Sequence, residues 1–103
     1  MIRGTTPTLT MKLPSEVSVL DVASAIVSIE QSGKEKITKS ISDITKDPDA
    51  NTLAVKLTQE ETLSLSARSS AFVQLKVKTN NGNVLASSPS PMVVTDIINE
   101  EVM

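Results

Sequence analysis

Asp47-Pro48-Asp49-Ala50-Asn51 sets oxygen-bearing side chains on alternate residues, the spacing at which the first half of a calcium loop collects its ligands. The second half of that pattern is missing. Thr52 stands where a sharp turn needs glycine and Thr58 where a bidentate glutamate belongs, so the stretch reads as a solvated Asx-rich turn. Two carboxylate pairs, Glu60-Glu61 and Glu100-Glu101, are the other source of acid–base chemistry. The first is explained by helix capping, since Thr58-Gln59-Glu60-Glu61 matches a capping box, and the second lies in an acidic tail, residues 99–103, expected to fray. The fourteen serines include no G-x-S-x-G and no S-x-x-K, and without histidine no Ser–His pair forms. Gly4, Gly33 and Gly82 are too scattered to cradle a phosphate.

The chain has 103 residues, no Cys and no His, so the commonest transition-metal ligands and the side chain best suited to proton transfer near neutral pH are both absent. We therefore expect no catalytic residue, no metal and no cofactor, and a protein that is not an enzyme. Ten basic against twelve acidic residues, with Phe72 as the one aromatic, leave neither a basic stripe nor a stacking platform, which argues against nucleic acid as a partner. No apolar run approaches the ~18 residues of a membrane span, and Met1 to Thr8 has no hydrophobic signal region, so neither a membrane partner nor export by a classical signal is expected.

The rest of the pattern belongs to strands. Residues 8–13 alternate, with Leu9, Met11 and Leu13 on one face, between Pro7 and Pro14. Residues 19–30 fit two periods. Val19, Val22, Ile26 and Ile29 recur as on a helix, while Ala25, Val27 and Ile29 alternate as on a strand. The β-branched content favours an extended chain over 25–31, leaves a helical turn near Leu20 to Ala23 open, and makes Ser32-Gly33-Lys34 a turn into a second arm over 36–41. Residues 43–51 read as a polar loop, 52–57 as a strand, and Glu60 to Leu63 as a helical turn that changes sheets and leaves Leu63 and Leu65 to plug the core.

Residues 72–79 alternate, and Asn81-Gly82 is the favoured pair for a type I′ two-residue loop; with that turn Thr79 pairs with Val84, Val77 with Ala86 and Leu75 with Ser88. A last edge strand is expected over 92–97 after Ser88-Pro89-Ser90-Pro91. The sum is an all-β, immunoglobulin-like β-sandwich of six or seven short strands with one short helical turn, a single domain over 1–103 with a flexible arm at 1–6. In this register Phe72 and Leu85 fall on the polar face, with Leu85 opposite Lys78. Together with Ile2 and Arg3 in the arm and Ile97 and Ile98 before the tail, they are the candidate interface residues.

Three stretches, I-R-G-T-T-P-T-L at 2–9, V-K-L-T-Q-E-E-T-L-S-L at 55–65 and V-Q-L-K-V-K-T-N-N-G-N-V-L-A-S at 73–87, resemble small proteins from the structural gene blocks of tailed phages and prophages of Gram-positive bacteria. The overall shape is also similar to the immunoglobulin-like N-terminal domain of phage baseplate upper proteins. The resemblance implies a non-enzymatic virion component of tail, baseplate or head, made in the bacterial host cytoplasm. Its partners would be other virion proteins in a homo- or hetero-oligomer, held by many repeated weak contacts. A carbohydrate- or host-surface-binding β-sandwich is the alternative, weakened by the lack of Trp and Tyr.

Overall fold

A computed structural model describes residues 1–67 and 69–103. The chain forms β1 (Thr8–Lys12), β2 (Val22–Gln31), β3 (Lys34–Ser40), β4 (Ile44–Asp47), β5 (Thr52–Lys56), α1 (Gln59–Leu63), β6 (Ala71–Thr79), β7 (Val84–Ala86) and β8 (Ser90–Met92). One antiparallel sheet has the order β1-β5-β4, and the other runs β3-β2-β6-β7, with β8 also on β6. In chain order, β1 to β7 take the places of strands B, C, C′, D, E, F and G of an immunoglobulin-like sandwich, with eight strands among the described residues rather than six or seven. The strand β4 falls inside the stretch read from sequence as a polar loop. Only Ile44 of its four side chains is buried, so alternation has too little to show there.

Each passage between the two sheets is made by a helical turn: 3-10 turns over Val19–Asp21 and Ile41–Asp43, and α1. Such a turn carries the chain across the ~10 Å between layers while satisfying much of its own backbone. The first also resolves the mixed period of residues 19–30. Val19 is buried on the 3-10 turn, and an irregularity between Val22 and Ser24 lets both Val22 and Ala25 point inward, whereas Ile26 of the helical set faces out. The interior is aliphatic throughout. One cluster packs Val22, Val27 and Val77 against Leu53 and Val55, a second gathers Ile29, Ile37, Leu57 and Leu65, and Leu9 and Val73 touch both.

The type I′ turn sits in the other hairpin. Ser32 and Gly33, with φ of 56° and 76°, are the two-residue loop that pairs Gln31 with Lys34. In the β6–β7 hairpin only Gly82 has positive φ, +89°, and the Gly82 N–H donates to the Thr79 carbonyl at 3.0 Å while the Thr79 N–H donates to Asn83. This is a three-residue loop, a type I turn closed by glycine in the left-handed region. The Asn81 carboxamide oxygen accepts from the Thr79 hydroxyl and the Asn83 N–H, which gives the tighter turn no advantage. The register therefore moves by one, pairing Lys78 with Val84, Val77 with Leu85 and Lys76 with Ala86. Leu85 turns to the inner side, contrary to the sequence reading, and Val84 and Ala86 join the lysines outside.

The expected strand at 92–97 is also displaced. Pairing ends at Met92, and beyond it the chain meets the N-terminal arm through a parallel bridge between Ile2 and Thr95. The Arg3 N–H donates to Thr95 at 2.9 Å, and the Thr95 N–H to Met1 at 2.7 Å. Residues 1–6, read as a flexible arm, are thus fastened to the body, and the acidic tail is tied in by Glu100 to Arg3 and by the Met103 N–H to Gln59.

Candidate interaction surface

Arg3, a candidate contact residue, is a strut. Its Nε donates to the Leu65 carbonyl at 2.5 Å and Nη2 to Leu63 at 3.0 Å, while Nη1 reaches Asp96 at 2.6 Å and Glu100 at 2.7 Å. The guanidinium fork so ties α1 and its exit loop to the C-terminal segment. Hydrogen bonds to Glu100 and Asp96 raise its pKa further above the ordinary arginine value. Ile97 is half-buried beside Gly4, whereas Ile2 is half-exposed and Ile98 wholly exposed. These four residues share one end of the molecule. Phe72 lies on the outer face of β6 between Glu30 and Pro91, and Leu85 is five positions further along β6, opposite Val77, or about 17 Å away. The six candidates do not form one patch.

The buried polar groups near that end hold structure. Thr62, fully buried, accepts from the Gly4 N–H at 2.9 Å and donates to the Thr5 carbonyl at 2.9 Å. Gln31, 2% exposed, donates through Nε2 to Ser66 at 2.6 Å and Ser69 at 2.8 Å and accepts the Ser66 N–H at 2.7 Å. The capping box is complete: the Thr58 hydroxyl accepts from the Glu61 N–H, and Glu61 accepts from the Thr58 N–H at 2.8 Å. Glu61 also meets Lys39 at 2.8 Å, which explains how a lysine is tolerated between Ile37 and Ile41 on the inward side of an edge strand. Burial pushes the Glu61 carboxyl up, but the Lys39 ammonium and the Thr58 N–H outweigh it and hold the carboxyl below its usual range.

The Asx-rich stretch behaves as a turn. Asp47 accepts the Asp49 and Ala50 N–H groups, and Asn51, at φ 56°, accepts the Val19 N–H at 3.0 Å and donates to the Val17 carbonyl at 2.8 Å. Asn51 is thereby turned toward the first sheet crossing and away from the aspartates. Among the described residues no group of three Asp, Glu, His or Cys side chains is placed to hold a metal, and every buried side-chain nitrogen or oxygen has a partner. No helix among them is long and apolar enough to cross a membrane.

One surface without a partner among the described residues is the side of the sandwich between β1 and β7. Two adjoining clefts of about 220 and 300 Å³ share Val17 and Leu85 there. The smaller is walled by Leu13, Val17, Leu75, Val77, Leu85 and Ala86, the larger by Glu16, Asp21 and the asparagines of the β6–β7 loop. Beside them Val84 and Leu85 are 54% and 42% exposed, and among the described residues β7 is paired only on its β6 side. Of the candidates named from sequence, Leu85 alone lies in this surface. Its neighbours Leu13, Val17, Val84 and Ala86 were not legible as a site, because their convergence depends on the hairpin register and on the first sheet crossing.

In comparison with known proteins, no family model matches this chain, and no curated protein matches it in sequence.

Proposed function

We propose that this protein is a non-enzymatic structural or adaptor component of a tailed-phage particle, placed in the tail, baseplate or head by contacts with other virion proteins. The three stretches that resemble phage structural proteins supply the particle. The observation that carries the mode of action is the outer edge of β7, unpaired among the described residues, with its apolar cleft, set in a body where every buried side-chain nitrogen or oxygen of the described residues has a partner. Such a surface suits recognition by strand addition and shape. A single contact of this size is weak, and attachment lasts because many copies engage together.

Gold-labelled antibody against the protein, applied to intact particles in the electron microscope, tests the reading. Labels at a fixed place on the particle are expected. A protein absent from purified particles, and a stable monomer that binds sugars in a glycan screen, would overturn it in favour of a carbohydrate-binding module.

A further inference from the structure

We infer that β7 is the docking edge for an extended peptide segment of a partner protein, aliphatic on the side facing the cleft and acidic on the other; this rests on the adaptor reading and names its contact. The backbone supplies the first part of the argument. Hydrogen bonds from Thr79 to Asn83 and from Ser87 to Leu75 bracket β7, so by antiparallel alternation Leu85 exchanges its bonds with Val77. The N–H and C=O groups of Val84 and Ala86 therefore point away from the sheet, and no described segment pairs with them. A strand laid beside them continues the order β3-β2-β6-β7 by one.

Alternation then settles where the incoming side chains go. Those on the inner side enter the cleft of about 220 Å³ between Leu13, Val17 and Leu85, more than a benzene-sized group needs. Those on the outer side lie beside Val84 and Ala86, which the register sets next to Lys78 and Lys76. Lys12 lines the same cleft from β1. None of these three lysines has an ion-pair partner among the described residues; Lys12 on the inner side is offset by Glu16 and Asp21 of the adjoining cleft, whereas Lys76 and Lys78 leave the outer side positive, so that side favours carboxylates and disfavours a basic segment. A second copy offering its own β7 would set lysines on both sides of the joint, which is why we assign the edge to an acidic partner.

The test uses the full chain with two synthetic probes, a peptide of alternating Glu and Leu and its Lys and Leu counterpart, followed by amide shifts in two-dimensional NMR. The acidic probe is expected to shift Val84, Leu85 and Ala86 and to bind at least about tenfold better than the basic one. Ala86→Pro removes an N–H that β6 does not use, so the variant keeps its fold and loses the probe. The double variant Lys76→Glu/Lys78→Glu, which leaves the backbone alone, reverses the preference between probes. Equal binding of both probes, shifts mapping away from β7, or unchanged binding by the folded Ala86→Pro protein would each overturn the assignment. Self-association in sedimentation that Ala86→Pro abolishes would give the edge to a second copy and also overturn it. A particle that incorporates Ala86→Pro normally would sink the docking edge while leaving the adaptor reading in place.

Discussion

Replacing Gln31 by Met keeps the length and volume of a buried side chain and deletes its amide. Three hydrogen bonds to the backbone of Ser66 and Ser69 go with it. At about 1 kcal/mol net for each, the loss is about 3 kcal/mol. Two corrections have opposite signs. The Ser66 and Ser69 side chains lie at the surface, so water can reach part of the deprived backbone, and thioether burial returns a little. Against that, Ser66 and Ser69 lose the contacts that hold their backbone beside β2. The expected destabilisation is about 2–4 kcal/mol, a large fraction of the ~5–15 kcal/mol typical of such a fold. Urea titration followed by far-ultraviolet circular dichroism measures it, with a lower midpoint and an unchanged slope. Gln31→Glu provides the internal control. Its ionised carboxylate faces two carbonyl oxygens, so its folded pKa lies above the unfolded one. Any stability it keeps is greatest below the ordinary carboxylate range and is lost as pH rises through the folded value. Loss of under about 0.5 kcal/mol in Gln31→Met, within the range of ordinary surface changes, would show that the amide is not a clamp.

Gly82→Val should cost about 1–2 kcal/mol in the same titration, entirely from backbone conformation, because φ is +89° and nothing lies within 4 Å of an added Cβ; equal stability would show that the turn is misassigned. Glu61 titrates below its usual range in the folded chain, so its stabilisation is present above that range and lost as pH falls through the folded value. Glu61→Gln should therefore flatten the acid limb of the stability curve, and a curve parallel to the parent's would refute the role given to Lys39. Arg3→Gln should speed hydrogen exchange at Thr95 and in the loop after α1 well before global unfolding, as expected when a local strut is removed; unchanged protection there would show that the arm is held by its backbone alone.

Local chemistry was enough wherever neighbours in the chain settle the outcome. The alternation of Leu9, Met11, Leu13 and of Leu53, Val55, Leu57 reports a half-buried strand directly, and Thr58 with Glu61 closes a capping box from four consecutive residues. An aliphatic interior and the absence of Cys and His were equally plain in the residue list. What required the assembled fold was any choice between near-equal local solutions. Asn-Gly favours a two-residue loop, yet in the three-residue form observed the Asn80 N–H donates to the Asp21 carbonyl and Asn81 bridges Thr79 and Asn83, and that single step moved Leu85 to the inner face. Likewise Arg3, Gln31 and Asn51 act on segments 30 or more positions away, at Leu65, Ser66 and Val19, so their roles follow from distances between strands and not from spacing along the chain. The candidate surface belongs to this second class. It is the gap left where β1 and β7, far apart in sequence, fail to close one side of the sandwich.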